Sequence, residues 1–101
     1  MPHTRRLPKI PPTGRVSLYL TTEQRDLFLK TPGLPNGLGH LLHRAPVRSG
    51  KLSVRISGDE LDNLIATAAR AEAGDKRTER VLKALLRYLD ELEDRFEERE
   101  E

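Results

Sequence analysis

The sequence predicts a small α+β fold, a two-stranded β-ribbon packed on helices. Three observations carry that prediction. Two short stretches, 15–20 and 51–56, alternate strictly between polar and apolar side chains, the period of a half-buried strand. Each runs straight into a helix-capping signature: Thr21 with Gln24, and Ser57 with Glu60. Helical apolar spacing then follows both, at a level that 101 residues with 36% hydrophobic and 34% charged content can bury in one modest core.

The first stretch places Arg15, Ser17 and Tyr19 on one face and Val16, Leu18 and Leu20 on the other. A short helix is expected over 22–30, with Leu27 and Phe28 inward. Thr31 to Gly37 is rich in Pro and Gly and reads as a break. Leu38 to Arg44 suits two helical turns, with Leu38, Leu41 and Leu42 on one side, and 45–50 reads as a loop. The second strand, Lys51 to Ile56, exposes Lys51, Ser53 and Arg55. A helix over about 58–73 puts Leu61, Leu64, Ile65 and Ala68 on one stripe. A longer helix from about Thr78 carries Leu82, Leu85, Leu89, Leu92 and Phe96 at alternating steps of three and four, a heptad seam that Val81 and Tyr88 widen. That seam suits either the chain's own core, chiefly at Leu82 and Leu85, or a homodimer or partner groove, chiefly at Leu92 and Phe96.

These elements define an organisation. Residues 1–14 form a basic, Pro-rich, flexible arm; 15–98 form one small domain of two units, 15–45 and 51–98; 99–101 form a frayed acidic tail. The arm holds Arg5, Arg6 and Lys9 among four prolines, which suits phosphate contact, a PxxP-type ligand over Arg5–Pro11, or a plain terminus. Charge is segregated. Residues 1–58 carry ten Lys/Arg against two acids, whereas residues 59–101 carry eight against fourteen. The basic front suits a polyanionic partner, unless the halves neutralise each other across the fold or a dimer.

Sliding the sequence by 36 positions superimposes the two openings. Ser17 meets Ser53, Asp26 meets Asp62, Thr21 meets Ser57 and Gln24 meets Glu60, while Val16, Leu18 and Leu20 meet Leu52, Val54 and Ile56. The strand-helix-helix unit therefore reads as repeated, and strands 15–20 and 51–56 are expected to pair within one chain. A parallel pair through a crossover would instead make an ordinary α+β domain.

Chemistry of other kinds finds little support. No Cys is present, which removes disulfides, thiol catalysis and cysteine zinc sites. His40 and His43 stand three apart with no third ligand nearby. No Gly-rich phosphate loop, nucleophile elbow or HExxH occurs. The expectation is a non-enzymatic protein with no cofactor, no metal and no small-molecule substrate. No apolar run approaches the ~20 residues of a membrane span, and 1–13 lacks the apolar stretch of a secretory signal. A cytoplasmic location without membrane contact is expected.

Leu52-Ser53-Val54-Arg55-Ile56-Ser57, followed by an acidic first turn and Leu61, resembles the ribbon-helix-helix DNA-binding family of MetJ/Arc type. Gly74, Arg77, Thr78, Glu79, Val81, Ala84, Leu85, Tyr88 and Leu89 sit in the register of that family's turn and second helix. The resemblance covers about 51–92. The upstream copy has a shorter first helix and a weak second one holding Gly37 and Gly39, and the acidic end of the last helix is no part of the family pattern. The resemblance implies a sequence-specific binder of double-stranded DNA, a small transcriptional regulator or antitoxin-like repressor, whose antiparallel ribbon enters the major groove. It implies Lys51, Ser53 and Arg55 as base readers, and Lys76, Arg77 and Thr78 at the second helix start as phosphate anchors. With the repeat, Arg15, Ser17 and Tyr19 join the readers and the chain becomes a pseudo-dimer. The alternative is a protein-interaction or dimerisation module built on Leu82, Leu85, Leu89, Leu92 and Phe96, with the strand face merely solvated.

Overall fold

In the computed structural model, which describes residues 10–11 and 14–96, the chain runs β1 (Arg15–Thr21), α1 (Thr22–Lys30), α2 (Asn36–Arg44), β2 (Lys51–Ser57), α3 (Gly58–Arg70) and α4 (Lys76–Glu93). The two strands form one antiparallel sheet. Its register pairs Arg15 with Ser57, Ser17 with Arg55, Leu18 with Val54, Tyr19 with Ser53 and Thr21 with Lys51. The parallel alternative is thereby removed, and the fold is α+β.

Alternation decides which face of the ribbon is dry. Val16, Leu18, Leu20, Leu52, Val54 and Ile56 are all buried, in one core with Phe28, Leu38, Leu42, Leu61, Leu64, Ala68, Leu85 and Leu89. Two strands alone are marginal in water, so the helices beneath supply most of the stability. Each fully buried Leu, Ile or Phe contributes about 1.5–3 kcal/mol relative to exposure.

Both strand-to-helix junctions form complete capping boxes. The Thr21 hydroxyl accepts from the Gln24 amide at 3.1 Å while Gln24 accepts from the Thr21 amide at 3.0 Å. The Ser57 hydroxyl accepts from Glu60 at 3.2 Å and Glu60 accepts from Ser57 at 2.9 Å. α4 starts at Lys76, two residues before the expected Thr78, because Asp75 serves as its N-cap and accepts from the Thr78 amide at 2.7 Å. That bond holds the Asp75 carboxyl below the usual carboxylate range. α3 ends at Arg70, three residues short of the expected Ala73. Ala71 turns to an extended conformation, and its amide bonds back to the Ala68 carbonyl at 3.2 Å. α2 begins at Asn36 rather than Leu38, behind Pro35, which offers no side-chain cap.

Within the chain the heptad seam faces the core. Leu85 and Leu89 are fully buried and Leu82 is half-buried against the core. Leu92 and Phe96, expected chiefly at a homodimer or partner groove, are covered by the chain itself and are 9% and 8% exposed. The reason is the segment before β1. The Ile10 amide bonds to the Arg95 carbonyl at 2.7 Å, Ile10 bridges Phe96, and the Ile10 side chain packs on the core. Ile10, within the segment expected as an arm, thus packs on the body of the fold. The expectations for 1–9, 12–13 and the tail 99–101 lie outside the described residues. Among the described residues no helix is long and apolar enough to cross a membrane.

Candidate nucleic-acid interface

The outer face of the ribbon is set by the same register that buries its inner face. Arg15, Tyr19, Lys51, Ser53 and Arg55 are exposed and Ser17 is half-buried. The six positions named from the sequence therefore share one side of the sheet, in the rows Ser17–Arg55 and Tyr19–Ser53, with Arg15 and Lys51 at opposite ends. Tyr19 stands out at 65% exposure, an aromatic ring presented to solvent in the middle of the face.

The amide of Tyr19 points away from β2. It donates to the Tyr88 hydroxyl on α4 at 2.8 Å. Outer-face residues thus occupy the non-hydrogen-bonded pairs of the ladder, where opposing Cα atoms stand about 4.5 Å apart and side chains crowd closely. α4 meets the free edge of β1 at Tyr19. It reaches Glu23 through Arg77 at 3.1 Å, Tyr19 through Tyr88, and Ile10 near Phe96. The Tyr88 phenol is pushed above its ordinary pKa, chiefly by burial.

The edge of β2 is treated differently. Arg48 and Lys51 exchange both backbone hydrogen bonds, at 2.8 and 3.0 Å, across a two-residue turn. Ser49 has φ 52° and Gly50 φ 74°, the pair of positive values that a type I′ hairpin turn requires. Residues directly opposite in an antiparallel pair project to the same side. Arg48 therefore stands beside Lys51 on the outer face, and the row Thr21–Lys51–Arg48 is one residue wider than the rest. Arg48 lies in the stretch 45–50 whose sequence predicts a loop. The Ser49-Gly50 dipeptide between two cations was the available sign of the turn.

The ends of the ribbon differ in charge. The Arg15 guanidinium lies 3.3 Å from the Glu60 carboxylate, which also closes the α3 capping box. At the other end the equivalent capping residue is Gln24, which is neutral.

The three proposed phosphate anchors are placed less simply. Lys76 is exposed. Arg77 is exposed and paired with Glu23. Thr78 is half-buried, and its amide is taken by the Asp75 carboxylate. The start of α4 is thus occupied by the chain's own acid. Glu23 lies two residues past β1, so this helix start stands near the Thr21–Lys51 end of the ribbon.

An open cleft of about 1040 Å³ runs between α1 and the turn joining α3 to α4, lined among others by Glu23, Asp26, Lys30, Arg70, Asp75 and Arg77. His40 and His43 are exposed on α2. No cluster of three or more His, Cys, Asp or Glu side chains suited to a metal occurs among the described residues.

No protein-family model, curated protein or solved structure matches this chain.

Proposed function

We propose that this protein binds double-stranded DNA sequence-specifically through the outer face of its ribbon, acting as a small transcriptional regulator or antitoxin-like repressor. In this reading the two β-α-α halves form a single-chain pseudo-dimer of ribbon-helix-helix type. One observation carries it: an antiparallel pair of seven-residue strands, backed entirely by core, presents Arg15, Ser17, Tyr19, Lys51, Ser53 and Arg55 on one open face. A two-stranded ribbon fits the width of the major groove, where base edges offer a distinguishable pattern of donors and acceptors. Arg55 and Lys51 supply the donors suited to guanine, Ser17 and Ser53 bond to either partner, and Tyr19 supplies apolar contact. The start of α4, with Lys76, Arg77 and Thr78, flanks one end and contributes a weaker phosphate contact because Asp75 and Glu23 oppose it.

The test is a mobility-shift titration of the whole chain against a mixed pool of short duplexes at low salt, repeated with Arg55→Ala. Binding that Arg55→Ala weakens and makes less selective is the expected result. Absence of any shift at low salt would sink the reading and leave a protein-interaction role in its place.

A further inference from the structure

We propose that the ribbon reads its duplex with a fixed polarity, gripping most strongly at the end that carries Thr21, Lys51 and Arg48, so that the recognised site lacks two-fold symmetry. The proposal rests on the DNA-binding reading of the ribbon face and deepens it.

The register supplies the frame. Its centre is the pair Leu18–Val54, and a half-turn about that centre exchanges Arg15 with Lys51, Ser17 with Ser53, Tyr19 with Arg55 and Thr21 with Ser57. A symmetric dimer places identical side chains in both halves, and its binding site mirrors that symmetry. Here three exchanges preserve chemistry. The fourth swaps a neutral aromatic for a guanidinium in the middle of the face.

Charge at the ends adds to this difference. Glu60 and Gln24 hold the same structural post: each accepts the amide of its N-cap residue, at 2.9 and 3.0 Å. Only Glu60 is charged, and it stands 3.3 Å from Arg15. The first turn of α3 carries Asp59 as well, whereas that of α1 carries only Glu23, itself paired with Arg77 at 3.1 Å. An approaching phosphate therefore meets an ion-paired cation at the Arg15 end and, among the described residues, a Lys51 with no salt bridge at the other.

Arg48 completes the contrast. The type I′ turn at Ser49-Gly50 brings it beside Lys51 on the outer face. Among the described residues the Arg15 end has no such neighbour in sequence: Gly14 precedes Arg15. Among the described residues, two adjacent cations with no salt bridge of their own at one end, where Glu23 is already paired with Arg77, and an ion pair at the other make the potential along the ribbon run in one direction.

The experiment selects bound duplexes from a random-sequence pool with the whole chain, then measures affinity for the recovered site with Arg48→Ala, Arg48→Lys, Glu60→Gln and Gln24→Glu. Glutamine and glutamate both serve at the third position of a capping box, so the last two variants keep the fold. The expected motif is not self-complementary. Arg48→Ala weakens binding about five-fold and relaxes preference at one flank only, and Arg48→Lys restores most of the affinity. Glu60→Gln strengthens binding and Gln24→Glu weakens it, each by roughly three- to five-fold at low salt. A palindromic motif, or unchanged affinity in Arg48→Ala, overturns the polarity while leaving DNA binding intact. Recovery of no duplex at all overturns both.

Discussion

The hydroxyl of Tyr88 accepts a hydrogen bond from the backbone amide of Tyr19 at 2.8 Å, fastening the middle of α4 to the free edge of β1. An exposed strand edge is a template for pairing with another chain, and this bond occupies one of its donors. Tyr88→Phe removes the acceptor while keeping the ring. It should lower unfolding free energy by about 0.5–1.5 kcal/mol in urea titration and speed hydrogen exchange at the Tyr19 amide. Unchanged exchange at that amide would show that the bond does not hold the edge.

The two capping boxes make an additive pair. Thr21→Ala and Ser57→Ala should each cost about 1 kcal/mol, because each leaves a helix-end amide without its acceptor. The junctions lie at opposite ends of the ribbon, so the double variant should lose nearly the sum. Ser53→Ala, on the solvent face, should change stability by no more than about 0.5 kcal/mol. Equal effects at Ser53 and Ser57 in the same titration would contradict the assigned roles.

The apolar seam of α4 provides a test of where its partner lies. Leu89 is fully buried within the chain, so Leu89→Ala should cost about 2–5 kcal/mol and Leu89→Asp should unfold the protein. Leu29→Ala, at a 38% exposed position, should cost far less. Circular dichroism with sedimentation distinguishes the cases: a folded Leu89→Asp monomer derived from a wild-type dimer would return the seam to an interface.

Two carboxylates respond to pH in opposite directions. Partial desolvation at this exposed position, followed by the neighbouring charges of Asp62, Asp90 and Asp94, raises the pKa of Glu93 above its ordinary 4.5. Its carboxyl binds a proton more tightly in the folded state. Stability contributed at this site therefore rises as pH falls from neutrality through the raised pKa, and the gain is complete below 4.5. Asp75, lowered from 3.8 by its bond from Thr78, contributes stability above 3.8 that is lost as pH falls through its folded pKa. Thermal melts from pH 7 to pH 3 should show Glu93→Gln more stable than the wild type at pH 7, with a smaller gain on acidification. An unaltered pH profile in Glu93→Gln would contradict the origin of that shift.

Much of the framework was legible because its signals are local. Period-two alternation located both strands to within a residue, and the Thr21–Gln24 and Ser57–Glu60 spacings located the starts of α1 and α3. Helix ends were less legible. Ala71 and Ala73 are good helix formers, yet the chain leaves the helix at Ala71, a tertiary choice that propensity does not register. Asp75 was a readable N-cap behind Gly74. The heptad spacing of Leu82 to Phe96 gave the buried stripe without saying whose core it fills; the docking of Ile10 on Phe96 depends on residues far apart in sequence. At the candidate interface, alternation named the six outer-face positions. It could not give the strand direction, the ion pair of Arg15 with Glu60 or the placement of Arg48, since each arises only from the register.

Salt dependence separates DNA binding through the ribbon face from a merely solvated strand surface. DNA binding by the ribbon face should release counterions, so log Kobs should fall linearly with log salt, by roughly 0.9 per phosphate neutralised. Fluorescence anisotropy with a labelled duplex, for the wild type and for Lys51→Ala/Arg55→Ala, compares both quantities in one series. The account predicts steep salt dependence in the wild type. In the double variant it predicts at least about ten-fold weaker binding, with an unchanged melting temperature because both side chains face solvent. Equal affinity and equal slope for the two proteins would contradict it.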